Sequence, residues 1–193
     1  MGGNWSHWSN KITDDSGKQL KSYTQWSGMF NRCGKAKDYL SVSMSEKFKD
    51  YDMWLEWAKE QKGFLNVEDS GRIWNMDKDL VGNGREYNED VCVFIPHVLN
   101  NFAKYSPTGG LPRGVRQNGK YTYTVKLKKF DKIYLFNGYK TPEEAFEKFM
   151  IERIDYLNKL AEIYYHQVDE RVFPALRDKM FCPILNNSVG INQ

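Results

Sequence analysis

Two runs of strict two-residue alternation, separated by a short turn and followed at once by a capped helix start, occupy residues 120–144. Few folds accept that order. From Lys120 to Lys128, Tyr121, Tyr123, Val125 and Leu127 point one way. Lys120, Thr122, Thr124, Lys126 and Lys128 point the other. Lys129-Phe130-Asp131 reads as the turn. Lys132 to Phe136 then alternates again, with Ile133 and Leu135 expected on the apolar side and Lys132, Tyr134 and Phe136 on the open side. Asn137-Gly138 ends that strand. Thr141-Pro142-Glu143-Glu144 is a helix start: Thr141 as N-cap, Pro142 in the first helical position, Glu144 closing a capping box. Ala145, Phe146, Phe149, Ile154, Leu157, Leu160, Ala161 and Tyr164 recur at roughly helical spacing, giving one apolar stripe for the back of a sheet. The preceding stretch, Leu111-Pro-Arg-Gly-Val-Arg-Gln117, supplies a further strand that turns at Asn118-Gly119.

Charge is concentrated in the same place. Between Arg113 and Lys140 there are eight Lys/Arg against Asp131 alone, a segment of +7 in a chain of net +3. Such a surface on an otherwise near-neutral protein fits a polyanionic partner, most simply double-stranded DNA. All six Trp fall within the first 74 residues, which suggests a separate N-terminal unit. The expected division is 1–106 and 107–193, the second unit comprising the basic sheet and the C-terminal helices, among them an amphipathic stretch over Asp169–Met180 broken or started near Pro174. Residues 1–18 mix aromatics with turn residues, and residues 186–193 are expected to fray.

In the N-terminal part, Gln25 to Cys33 is spaced like a short helix, and residues 46–60 suggest another. Ile73-Trp-Asn-Met-Asp77-Lys78-Asp79-Leu80 leads into a Gly82-Asn83-Gly84 turn. Val91 to Ile95 reads as a strand, and Pro96 opens a helix carrying His97, Leu99, Asn100 and Phe102. The expected fold class is therefore α+β: strand, strand and helix with flanking helices, then a three-stranded antiparallel sheet packed on a long helix.

Pro-Arg-Gly-Val-Arg-Gln, Gly-Lys-Tyr, two alternating strands and Thr-Pro-Glu-Glu-Ala resemble the plant ethylene-response (APETALA-type) DNA-binding domain, in which a three-stranded sheet enters the major groove. The resemblance implies base-reading roles for Arg113 and Arg116, a matching second-strand role for Lys126, and third-strand roles for Lys132 and Tyr134. Lys120 and Thr124 join them on the expected open face. A basic residue and a tryptophan of that family's first turn are missing, and lysines replace two arginines. Lysine cannot form the planar fork that arginine makes on guanine, so phosphate contacts are expected to carry more of the affinity.

The N-terminal order resembles the core of the HNH (ββα-metal) nucleases, including phage homing-type endonucleases that append a DNA-binding sheet. That resemblance implies a catalytic site at Asp77, Lys78 and Asn83, with Asp77, Asp79, His97 and Asn100 as candidate ligands for Mg²⁺ or Mn²⁺ and metal-dependent phosphodiester cleavage as the activity. Lys78 stands where the family has its general-base histidine. A lysine is protonated at neutral pH unless burial depresses it strongly, so it does not replace that base. The alternatives are a DNA-binding regulator without catalysis, or a phage effector that binds a host protein through its Trp-rich half.

Cys33, Cys92 and Cys182 form neither a disulfide framework nor a CxxC metal site. No apolar run approaches the ~18 residues of a membrane span, and no signal-peptide core is visible. The expectation is a cytoplasmic protein, in a bacterial host if phage-encoded, with no membrane partner.

Overall fold

The computed structural model describes residues 9–104 and 110–187. The chain divides into two units, Met1–Asn100 with His166–Gln193, and Asn101–Tyr165. The class is mixed α+β. Among the described residues no helix is long and apolar enough to cross a membrane.

The first unit opens with α1 (Lys21–Arg32), which buries Tyr23, Trp26 and Met29. A 3-10 turn at Lys37–Tyr39 leads to β1 (Ser43–Met44). The periodicity of residues 46–60 suggests one helix, but two form: α2 (Glu46–Lys49) and α3 (Tyr51–Lys59). Asp50 makes the break. Its backbone is extended and its carboxylate accepts the Met53 N–H, so it caps α3 instead of continuing α2. The helices enclose an aromatic core in which Trp26 stacks on Phe30 and Trp57 meets both Phe48 and Phe94. β2 (Asn75–Asp77), β3 (Glu86–Tyr87), β4 (Val93–Ile95) and α4 (His97–Ala103) follow. β2 pairs antiparallel with β4 through Asn75↔Ile95, Met76↔Phe94 and Asp77↔Val93, while β3 leaves that hairpin to run parallel with β1.

The second unit is an antiparallel sheet of β5 (Val115–Gly119), β6 (Thr122–Lys129) and β7 (Lys132–Tyr139), with α5 (Pro142–Tyr164) across one face. Thr141 caps α5 as expected, its Oγ1 accepting the Glu144 N–H; Glu144 reaches back to the Lys140 N–H, one residue before the cap. Val115, Val125, Leu127, Ala145 and Phe149 form the core. Gly114 lies at φ +76° directly under the Phe149 ring, leaving no room for a side chain. The stripe of α5 departs from expectation at one point: Ile154 is exposed and Arg153 is buried in its place.

The register of the β6–β7 hairpin overturns an expectation. A three-residue turn over 129–131 would pair Lys128 with Lys132. In the structure Lys129 pairs with Lys132, and only Phe130-Asp131 turns. A slip of one residue exchanges the two faces of a strand. Lys132, Tyr134 and Phe136 therefore share the helix side with Lys129, Leu127 and Val125, while Ile133 and Leu135 lie on the open side with Lys128 and Lys126. Phe130 adopts φ +47°, a conformation that a two-residue hairpin demands at a central position and that a bulky residue resists. Tyr156 of α5 holds it there: its hydroxyl accepts the Phe130 N–H at 2.7 Å, and the two rings meet edge to face at 5.1 Å. At the first hairpin the turn is Lys120-Tyr121, two residues later than Asn118-Gly119, so Gly119 pairs with Thr122 and Tyr121 is exposed at the tip instead of facing the core.

The last helix, α6 (Val172–Asn187), groups with the first unit, contrary to the expected boundary. Arg171 binds the Asp90 carbonyl and Lys179 the Asp79 carbonyl, and Val168, Val172, Leu176 and Met180 are buried. The start of α6 places Pro174 in its first turn, where a missing N–H costs nothing. Of the end expected to fray, 186–193, Asn186 and Asn187 belong to α6, while residues 188–193 and the expected 106/107 boundary lie outside the described residues.

Tyr156→Phe removes the acceptor for the Phe130 N–H and keeps the ring contact. It should lower stability by about 1 kcal/mol in urea unfolding. An unchanged midpoint would show that the hydroxyl does not hold the turn.

Candidate nucleic-acid interface

The face of the sheet that α5 leaves uncovered is built by strand register. Arg116, Thr124 and Asn137 form one row across β5, β6 and β7. Next come the cross-strand pairs Lys126↔Leu135 and Lys128↔Ile133. A chain of hydrogen bonds fixes the first row: Asn118 Nδ2 donates to Thr124 Oγ1 at 2.8 Å, and Thr124 Oγ1 donates to Asn137 Oδ1 at 2.9 Å. The two amides shield Thr124 from solvent although it sits on the open side. Arg116 is exposed, and Lys128 is exposed beside Asp131 at 3.0 Å. Lys120 stands at the hairpin tip, its Nζ 5.3 Å from the Tyr121 ring centre.

The structure thus brings Arg116, Thr124 and Lys126 together on the open face and does not bring Arg113, Lys132 and Tyr134 there. The turn register moves Lys132 and Tyr134 to the helix side. Arg113 precedes β5, and its guanidinium reaches the Phe102 carbonyl at 3.5 Å, an acceptor shared with Arg153 of α5. Arg153 is 5% exposed, stacked 3.9 Å from the Phe102 ring centre. Burial, with the Arg113 charge nearby, pushes it down to about 9.

Lys129 also belongs to the helix side. It binds Glu152 at 2.7 Å and Asp155 at 2.8 Å, and lies over the Tyr134 ring. Burial alone would lower its amine, but those two carboxylates outweigh burial and hold it above the ordinary lysine value. Lys129, ahead of Lys148, holds Glu152 below the usual carboxylate range; Lys129, ahead of Lys159, does the same for Asp155. The +7 segment is therefore divided: Lys129 is neutralised against α5, Lys132 shares its side of the sheet, Arg113 turns to the Phe102 carbonyl, and Arg116, Lys126 and Lys128 lie on the open face. Sequence reasoning missed the Asn118–Thr124–Asn137 chain and the outward Ile133 and Leu135. A signal existed in Lys129, a charged residue at the apolar parity of β6, matched by Glu152 and Asp155 on the helix.

The acidic turn of the first unit has a different construction. Asp77 Oδ1 accepts the N–H groups of Asp79 (2.9 Å) and Leu80 (2.7 Å), closing the turn after β2. Asn83 Oδ1 does the same for Arg85 at 2.9 Å. Lys78 is 4% exposed; its Nζ donates to Asp79 Oδ1 at 2.6 Å and to the Gly84 carbonyl at 2.8 Å, between the rings of Tyr39 and Tyr87. Lys78 ties the two ends of the turn together and is shut off from solvent. The His97 N–H is taken by Glu68 Oε1 at 2.5 Å, and Asn100 sits half-buried further along α4.

These residues do not fit a divalent cation. Asp79 already has a cationic partner, the Asp77 oxygen that closes the turn is committed to two N–H groups, and among the described residues no three His, Cys, Asp or Glu side chains converge as ligands. The order β2, β4, α4 resembles the expected strand–strand–helix arrangement, but Asp77, Asp79 and His97 are not brought to one point. Asp77, Lys78 and Asn83 have structural work in the turn.

Burial is the main reason that the Asp77 carboxyl lies above its usual range. A raised acid is harder to ionise in the folded state, so its charge weakens folding above the folded pKa, and the penalty fades as pH falls through that value. Asp77→Asn keeps an oxygen for both N–H groups and removes the charge. The variant should be at least as stable as the parent at pH 7, with the advantage shrinking on acidification in urea unfolding at stepped pH. A large loss at pH 7 would contradict this reading.

No protein-family model matches this chain, and no curated protein and no solved structure matches it.

Proposed function

We propose that this protein binds double-stranded DNA through the open face of the β5–β6–β7 sheet, and that the acidic turn of the first unit braces the fold without cutting DNA. The observation that supports the first part is the set Arg116, Lys126 and Lys128 on the sheet face opposite α5. The second unit carries 12 Lys/Arg against 7 Asp/Glu, and six of those acids are on α5, behind the sheet. The unit is polarised, with its positive side outward, which steers a phosphate backbone to the sheet. Thr124, Asn118 and Asn137 add donors and acceptors at the centre of that face. Two of the three cations are lysines, so the affinity rests mainly on phosphate, and the binding is strongly salt-dependent.

The non-catalytic part of the reading follows from the engagement of Asp77, Asp79 and Lys78 with one another and with their own turn. A regulatory or architectural role suits a protein built this way better than a phosphodiesterase.

Arg116→Ala and Lys126→Ala should each weaken duplex binding and reduce the slope of log K against log[salt] by about 1. Lys132→Ala and Tyr134→Ala should change the slope little, because those side chains lie on the helix side. If the two pairs behave alike in fluorescence anisotropy, the sheet face is not the interface.

Supercoiled plasmid incubated with the protein and Mg²⁺ or Mn²⁺ should remain uncut. Nicking that disappears in Asp77→Ala would restore the nuclease reading.

A further inference from the structure

We infer that the sheet recognises the C5-methyl groups of thymine in duplex DNA, through Leu135 and Ile133. The inference rests on the DNA-binding reading above and names the chemical group that the face selects. Leu135 is 59% exposed and Ile133 57%. Both belong to the edge strand β7, on the side away from α5, directly across from Lys126 and Lys128. They add nothing to the core of their own unit, which Val115, Val125, Leu127, Ala145 and Phe149 complete without them.

An aliphatic side chain has no donor or acceptor to offer a nucleic acid. It gains only by leaving water against another apolar group. In the major groove the apolar group on a base edge is the thymine methyl. Geometry selects that groove. Neighbouring strands lie about 4.8 Å apart, so three strands span about 10 Å. That width suits a groove of about 12 Å and not one of about 6 Å. Paired residues across two strands hold their Cβ atoms roughly 5 Å apart. Each aliphatic group is therefore carried beside an amine that can take a phosphate or a base edge. A second copy of the chain is the other candidate occupant of these two side chains. Packing two such faces together would oppose Arg116, Lys126 and Lys128 to their own copies, which like-charge repulsion disfavours.

The test uses the full chain and two duplexes of identical sequence, one with every thymidine replaced by deoxyuridine. The wild type should bind the uracil duplex about fourfold more weakly for each methyl contacted, the factor that burial of one methyl-sized group supplies. The double variant Leu135→Ala, Ile133→Ala should bind both duplexes equally, at the affinity of the wild type for the uracil duplex. Circular dichroism and sedimentation of wild type and variant accompany the titrations. Equal wild-type affinity for the two duplexes overturns the inference and leaves DNA binding standing. A difference that persists in the variant assigns the effect to DNA shape and also overturns it. A wild-type dimer that the variant dissociates gives the patch to self-association. Failure to bind either duplex removes the DNA-binding reading itself.

Discussion

The contact between Tyr156 and Phe130 decides what the second unit can present to a partner. A phenylalanine at φ +47° is unfavourable on its own. The Tyr156 hydroxyl on its N–H and the Tyr156 ring against its side chain stabilise that conformation. The turn is then two residues long, Lys129 pairs with Lys132, and every side chain of β7 is assigned a face. A turn one residue longer would send Tyr134 and Lys132 outward and Leu135 and Ile133 into the core.

Electrostatics follows from that register. The same short segment supplies cations to both faces of the sheet, and their fates differ. Lys129, carried to the helix side, meets Glu152 and Asp155 and is held in a network with Lys148 and Lys159. On the open side Arg116 is exposed and Lys126 is half-buried. Summing charge along the chain overstates the positive surface, because it counts a lysine neutralised against a helix together with one exposed on a sheet. What remains outward is a smaller cationic set with two aliphatic neighbours and a hydrogen-bonded polar row.

The first unit shows how a charged sequence can be spent on architecture. Asp77, Lys78, Asp79 and Asn83 are near one another in the chain, as a catalytic turn would need, yet each engages the turn itself. Lys78 is enclosed by Tyr39 and Tyr87 and joins Asp79 to the Gly84 carbonyl. Gly84, at φ +77°, leaves no space for a side chain beside Asp79 Oδ1. A buried amine with two acceptors stabilises a loop that has little regular structure of its own.

By itself the sequence determined the elements governed by short-range physics. Alternation announced β6, the Thr141–Glu144 cap announced the start of α5, and the apolar spacing of α5 announced a helix behind a sheet, because steric preference, capping and two-residue or helical periodicity act over a few residues. The α+β class, with a three-stranded sheet against a long helix, followed from them. Tertiary structure decided the rest. The β7 register depends on Tyr156, 26 residues from Phe130 in sequence, and no local pattern reports that distance. Asp50 split a helix that periodicity alone would leave whole, since its carboxylate found the Met53 N–H. The grouping of α6 with the first unit, and the retirement of Arg113, Lys132 and Tyr134 from the open face, depend on which distant groups are within reach of a charge or a ring. Alternation states that two sets of side chains exist; only the partner across the strand and the helix behind it say which set meets solvent.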